Sequence, residues 1–157
     1  EQKALYEIVY NSQEAAINAS QVGNSFRSIY KLSYDVVAEG LSQLGIIDEA
    51  SEARKYYPHG LSHHIGLDVH DPGNYGDLKT DMVITIEPGI YIPKNSPCDP
   101  KWWNIGIRIE DDVLVTSEGP INLSAGAPRD RDSIELLMKE ESALKDFVLP
   151  EINSLIQ

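Results

Sequence analysis

The chain has 157 residues, enough to bury one real core but not two independent ones. A hydrophobic fraction of 41% is ordinary for a globular protein and excludes a disordered chain. Acidic residues outnumber basic ones 25 to 13, and the resulting formal charge of -12 disfavours sequence-independent contact with nucleic acid or anionic lipid, which carry the same sign.

The first stretch, residues 1–19, places Leu5, Ile8, Val9, Ala15, Ala16 and Ala19 at near-helical spacing with no Gly or Pro, and so predicts an amphipathic helix. Gly23-Asn24-Ser25 breaks it and offers Ser25 as the N-cap of a second helix, along which Phe26, Ile29, Tyr30, Val37, Leu41 and Leu44 share a side until Gly45. Residues 49–55 are expected to add a short helical stretch. From Pro58 the texture changes: residues 59–71 hold all four histidines, and Pro72-Gly73 signals a turn. Residues 82–92 alternate as a strand, with Val83, Thr85 and Glu87 on one face and Ile84 and Ile86 on the other; Pro88-Gly89 bends or bulges it. Residues 95–102 read as a polar loop. Residues 105–114 alternate again, with Ile107 and Ile109 opposite Gly106, Arg108 and Glu110, and Asp111-Asp112 is expected to form a turn or bulge before Val113. A helix over residues 132–144, capped by Asp132 or Ser133, and a short one over 152–156 complete the chain. Helices followed by an antiparallel sheet and a terminal helix make the fold class α+β. The expected division is a helical part (1–57), a strand-rich part (58–124) and a helical tail (125–157).

No apolar run approaches the roughly 20 residues that cross a bilayer, so no membrane partner is expected. The single Cys98 cannot form an intrachain disulfide, which fits a reducing, cytoplasmic setting, and its polar loop lacks a base to activate it as a nucleophile.

The chemistry-bearing residues come from three separated segments. Glu87 ends an apolar strand, where a carboxylate costs several kcal/mol unless a cation, an ion pair or a proton compensates it. Glu110, two residues after Arg108, poses the same problem. With one imidazole, two carboxylates make an oxygen-rich donor set that suits manganese, cobalt, iron or zinc. Structural ion pairs are the competing explanation, with Arg108 neutralising Glu110 across the strand face. His64 points away from its neighbour His63 and is read as structural or exposed; Tyr91 and Trp102-Trp103 are read as packing.

His59-Gly60-Leu61-Ser62-His63, Gly66-Leu67-Asp68-Val69-His70-Asp71, Glu87-Pro88-Gly89-Ile90-Tyr91, Gly106-Ile107-Arg108-Ile109-Glu110-Asp111 and the tail Gly126-Ala127-Pro128-Arg129-Asp130 together resemble the aminopeptidase P and prolidase group of pita-bread metallopeptidases. The resemblance implies a C-terminal part of the pita-bread fold and removal of an N-terminal residue that precedes proline. The implied cofactor is a pair of divalent metal ions, manganese first, with cobalt, zinc and iron as alternatives. It implies His63, Glu87 and Glu110 as metal ligands, Glu110 bridging both ions. Glu87 is the implied proton shuttle, and His70 the histidine that meets the substrate carbonyl. His59 and Arg108 line the proline pocket and, with His70, bind substrate; His59, His70, Glu87 and Arg108 form the implied catalytic set. The partner is a peptide with proline at its second position, and relatives often pair as homodimers.

The chain departs from the family in one respect. Members bind the two metals through five ligands, two of them aspartates upstream of the histidine, yet only Asp35 and Asp48 precede the histidine cluster here and neither has that setting. Glu1-Gln2-Lys3-Ala4-Leu5-Tyr6 resembles the helix directly after the second aspartate. The chain is therefore expected to begin past it, hold three of five ligands and bind metal weakly or not at all alone. A non-catalytic pita-bread module that binds peptides or proteins without metal is the alternative; a creatinase-like hydrolase ranks below both, since that branch loses the carboxylates kept here.

Overall fold

The computed structural model describes residues 1–142 and 144–148. Two antiparallel helices form one layer. α1 (Gln2–Ala19) buries Leu5, Val9, Ser12, Gln13, Ala16 and Ile17, a stripe at i, i+4, i+7, i+8 spacing. α2 (Phe26–Gln43) starts where its sequence signal lies, with Ser25 accepting a hydrogen bond from the Ser28 amide. The two polar residues in the α1 stripe have partners. Ser12 meets the hydroxyl and carbonyl of Ser33 on α2 at 2.7 and 3.0 Å, and Gln13 donates to the Ile86 carbonyl at 3.1 Å. The stretch at 49–55 is a 3-10 helix, Ala50–Lys55.

Against the helices lie two antiparallel ladders rather than one sheet. β1 (Val83–Ile86), β4 (Asp111–Thr116) and β5 (Gly119–Asn122) form the first, in the order β1-β4-β5. β2 (Gly89–Ile92) pairs with β3 (Ile105–Arg108) to form the second. The chain crosses from one ladder to the other twice, at Glu87-Pro88 and at Ile109-Glu110. Register puts these crossings side by side: Ile86 pairs with Asp111 on one flank and Gly89 with Arg108 on the other. The Ile109 amide meets the Pro88 carbonyl at 3.4 Å within the break.

Each ladder has its own core. Ile84, Ile86, Val113 and Val115 pack with Ala16, Phe26, Ile29 and Leu61; Ile90, Ile92 and Ile109 pack with Leu5, Val9, Val37, Leu41 and Tyr56. α1 spans both, which holds the break in register.

Three expectations need correction. Residues 105–114 are not one strand: the switch of ladders falls at Ile109-Glu110, while Asp111 and Asp112 sit inside β4 rather than in a turn. β5, not anticipated, pairs through Gly119-Pro120 at the edge of its ladder. α3 spans Arg131–Leu137, not 132–144, because Asp130 takes the cap by accepting from the Ser133 amide at 2.9 Å. The expected helix at 152–156 lies outside the described residues. No helix among the described residues is long and apolar enough to cross a membrane.

Candidate metal centre

The histidine segment reaches the break by pairing with the free edge of β1. Amides of Ile65, Thr85 and Glu87 donate to carbonyls of Val83, His63 and Leu61 at 3.3, 3.0 and 2.8 Å, an antiparallel run that sets His63 across from Thr85. The His63 amide also donates to the Thr85 hydroxyl at 3.1 Å. Thr85 and Glu87 share a face of β1, so His63 arrives beside Glu87, with Nε2 3.3 Å from Oε1. Glu110 projects from the parallel break in the other crossing. One ligand atom from each of His63, Glu87 and Glu110 lies within 4.8 Å of the others, the only such His, Cys, Asp and Glu group among the described residues.

Four features of these residues suit a divalent cation. His63 is 8% exposed, and its Nδ1 faces the His64 carbonyl at 3.0 Å, so a proton resides there and Nε2 is left facing the carboxylates. Arg108 does not neutralise the pair closely: its Nε lies 3.9 Å from Glu87 and 4.0 Å from Glu110, beyond direct hydrogen bonding. Two carboxylates thus share one distant guanidinium. Partial burial, and then the neighbouring Glu87 charge, push the Glu110 carboxyl above the usual carboxylate range. The Ser62 hydroxyl, buried beside His63, has no hydrogen-bond partner.

His59, His63, His70, Glu87 and Arg108 line one cavity of about 350 Å³ with Gly60 and Ser62. His70 is exposed at its rim, its ring edge-on to that of His63 with centroids 4.4 Å apart. Glu110 meets the cluster from the side. Asp35 lies in α2, paired with Lys31 at 2.5 Å. His64 is buried rather than exposed: its ring packs against Phe26 and Tyr75 at 5.1 and 5.0 Å, and its Nε2 meets the Asn74 carbonyl at 3.0 Å.

Tyr91 was read as packing, and its surroundings say more. Its hydroxyl lies 3.0 Å from His59 Nε2, while His59 Nδ1 faces the Gly60 carbonyl at 2.7 Å, so the phenol donates and fixes the imidazole tautomer. The same phenol, ahead of Glu87 and Glu110, favours the charged guanidinium of Arg108. Its ring lies over Gly89, where a Cβ would come within 2.6 Å of the hydroxyl. The sequence signal was Gly89-Ile90-Tyr91 itself: alternation puts Tyr91 on the face of Gly89, which leaves room for a ring.

Asp111 is 3% exposed and sits behind Glu110. Burial raises its pKa, while Asn122 Nδ2 and Arg129 Nε, both 3.0 Å from its Oδ2, hold the charge. Arg129 also reaches Gln13 at 3.0 Å and Glu14 at 2.5 Å. The tail motif had been assigned no role; it supplies this brace.

Known proteins share this fold. The chain is 40% identical over 150 residues to Xaa-Pro aminopeptidase 3 of Rattus norvegicus, covering 90% of this chain and 30% of that protein. It is 39% identical over 149 residues to the Xaa-Pro aminopeptidase of Haemophilus influenzae, covering 87% and 35%. It thus spans about a third of the length of these relatives. Among solved structures, proline aminopeptidase P II from Yersinia pestis superimposes with a TM-score of 0.83 at 37% identity, covering 87% of this chain and 34% of that one. A variant of Escherichia coli aminopeptidase P in complex with substrate gives 0.84 at 36% identity over the same shares. The helical layer and the two broken ladders are the C-terminal part of the pita-bread fold. Residues 1–117 match the model of metallopeptidase family M24, and with three quarters of its length in that match the chain belongs to this family.

Proposed function

We propose that this chain supplies part of the site for metal-dependent hydrolysis of the peptide bond between an N-terminal residue and a following proline. The observation that carries the reading is the convergence of His63, Glu87 and Glu110 on the cavity edged by His59, His70 and Arg108. His63 offers Nε2, and the two glutamates offer oxygens, a set that suits a hard or borderline divalent cation; manganese is the proposed metal. When bound, the metal supplies Lewis-acid activation of water and of the scissile carbonyl. Glu87, beside His63, accepts a proton from the attacking water and passes it to the leaving nitrogen. His70 donates from the rim to the carbonyl oxygen as negative charge grows there. Proline offers no amide hydrogen and a fixed φ, so its pocket reads shape; His59, Arg108 and Tyr91 form its walls.

A metal-free peptide-binding module is the weaker reading, because it leaves Glu87 and Glu110 offset only by Arg108 at 3.9–4.0 Å and by a proton on His63. The test is an assay of the full-length protein with added manganese on an Xaa-Pro peptide and its Xaa-Ala counterpart. Cleavage before proline that His63→Ala abolishes is expected. A folded protein that binds no manganese and cleaves neither peptide rejects the reading.

A further inference from the structure

Of the five arginines, Arg108, Arg129 and Arg131 each lie within 4.0 Å of a carboxylate. Arg27 and Arg54 have no such partner among the described residues. Both line one cleft of about 400 Å³ between α2 and the 3-10 helix, together with Tyr30, Lys31, Tyr34 and Ser51. In a chain with 25 acidic and 13 basic residues, two unpaired arginines facing one cavity are not an ordinary solvated face. The cleft is also braced: the Tyr30 hydroxyl accepts from the Arg54 guanidinium, and the Tyr34 hydroxyl donates to the Ala50 carbonyl at 3.0 Å. The Arg54 guanidinium held this way, and the exposed Arg27 guanidinium across from it, present planar pairs of donors that match a carboxylate.

The cleft adjoins the site. The rings of Tyr30 and His59 both rest on that of Tyr57, with centroids 5.8 and 5.2 Å away. Tyr57 is fully buried, so a single ring separates the cleft from the wall of the proline pocket. The Tyr30 and His59 rings are thus no more than about 11 Å apart, a span that an extended peptide crosses in about three residues at ~3.3–3.6 Å each.

We infer that this cleft takes a carboxylate carried by the peptide substrate about three residues beyond its proline. The carboxylate is the α-carboxylate of a short peptide or the side chain of Asp or Glu. The inference rests on the Xaa-Pro reading above and adds a preference in length and charge to it. Carboxylate and guanidinium form charge-assisted bonds across the cleft mouth, and the intervening residues pass over the half-buried His59 and Tyr30 rings, with Tyr57 buried beneath.

Binding to the full-length protein is measured calorimetrically for Ala-Pro-Gly-Gly-Asp-amide, Ala-Pro-Gly-Gly-Asn with a free C-terminus and Ala-Pro-Gly-Gly-Asn-amide. The Ala-Pro dipeptide, too short to reach the cleft, is the reference ligand. The doubly neutral peptide is expected to bind about tenfold more weakly than either charged one, the scale of one charge-assisted pair. Whichever charged peptide binds more tightly identifies the source of the carboxylate. The double variant Arg27→Gln/Arg54→Gln, at two exposed positions, is expected to remove the difference, while Arg27→Lys/Arg54→Lys keeps part of it. Equal affinity of all three peptides for the parent protein overturns the inference. So does arginine-dependent binding of inorganic phosphate without any preference among the peptides, which marks a free-anion site. Hydrolysis of Ala-Pro by the same protein reports on the peptidase reading alone, so the two ideas fail separately.

Discussion

His63 Nε2 stands 3.3 Å from Glu87 Oε1 because His63 Nδ1 is committed to the His64 carbonyl at 3.0 Å. Nε2 therefore faces a carboxylate, an arrangement that calls for a proton or a cation between the two. The two adjacent histidines consequently divide their work: His63 turns towards the break in the ladders, and His64 turns into the core beneath it.

That division gives opposite outcomes for one substitution made at either position. His63→Ala removes the only nitrogen in the cluster and is expected to weaken manganese binding more than about 100-fold, beyond what loss of outer partners alone produces. His64→Ala instead removes one of three mutually packed rings, with Phe26 and Tyr75, at a place so close-packed that a Cβ on Gly73 would fall 2.0 Å from the imidazole. It is expected to cost about 3 kcal/mol of stability, the scale of an aromatic truncation in a core. Calorimetric metal titration and urea unfolding of both variants check the pair. Equal loss of metal in both would remove the distinction.

Tyr91 ties His59 to the strand break. Tyr91→Phe deletes the hydroxyl that donates to His59 and is expected to cost about 1 kcal/mol of stability, the net worth of one hydrogen bond. Hydrolysis of Xaa-Pro peptides is expected to fall further than that figure implies, because His59 loses its fixed tautomer. Gly89→Ala acts on the same contact by pushing the ring aside, at an expected 1–3 kcal/mol, roughly the usual cost of overpacking. The check is the imidazole signals of His59 by NMR in both variants. Unchanged signals in Gly89→Ala would show that the ring does not hold His59.

Much of the helical layer is legible in the sequence: the α1 stripe, the Ser25 cap and the break at Pro88-Gly89 all stand where local signals put them. The site residues are legible because linked motifs carry them. What stays hidden is non-local. Ile105 to Glu110 alternate without interruption, and a period of two records which way a side chain points but not which strand lies alongside. The switch of ladders at Ile109-Glu110 therefore has no local signature. The pairing of Leu61, His63 and Ile65 with the β1 edge depends on a partner some twenty residues away. The brace at Arg129 joins it to Gln13 and Glu14, more than a hundred residues earlier, so neither end announces the other.

Glu52 sits in the 3-10 helix, outside the candidate metal centre. The Lys55 ammonium, at 2.7 Å, and then the amides of Glu49 and Asp48, at 3.2 and 3.0 Å, hold its pKa near 2, lowered from 4.5. A lowered carboxylate pKa means that the folded chain binds the proton more weakly than the unfolded one. Its contribution is complete above pH 4.5 and fades as pH falls towards 2. Glu52→Gln is expected to be less stable than the parent at pH 6, with the gap closing on acidification. Urea unfolding at pH 6, 4 and 3 measures it, and a gap that stays constant across the series would exclude the charge as its source.

Arg129 connects both flanks of the break. Through Gln13 it reaches the carbonyl of Ile86, the residue before Glu87, and directly it reaches Asp111, the residue after Glu110. Arg129→Met preserves apolar contact with Tyr10 but leaves Asp111 buried without its cation, an expected loss of about 3–5 kcal/mol. Most of that loss is the penalty for an orphaned charge rather than the worth of the pair. The double variant Arg129→Met/Asp111→Asn is therefore expected to recover more than half of it, with Asn122 still beside the amide. Manganese affinity should not recover in parallel, because Gln13 has lost the anchor for its own amide and the end of β1 is freer to move Glu87. Unfolding and metal titration of both variants separate the two effects. Full recovery of metal binding along with stability would show that the brace sets only the fold, and that Glu87 and Glu110 are positioned by the strands alone.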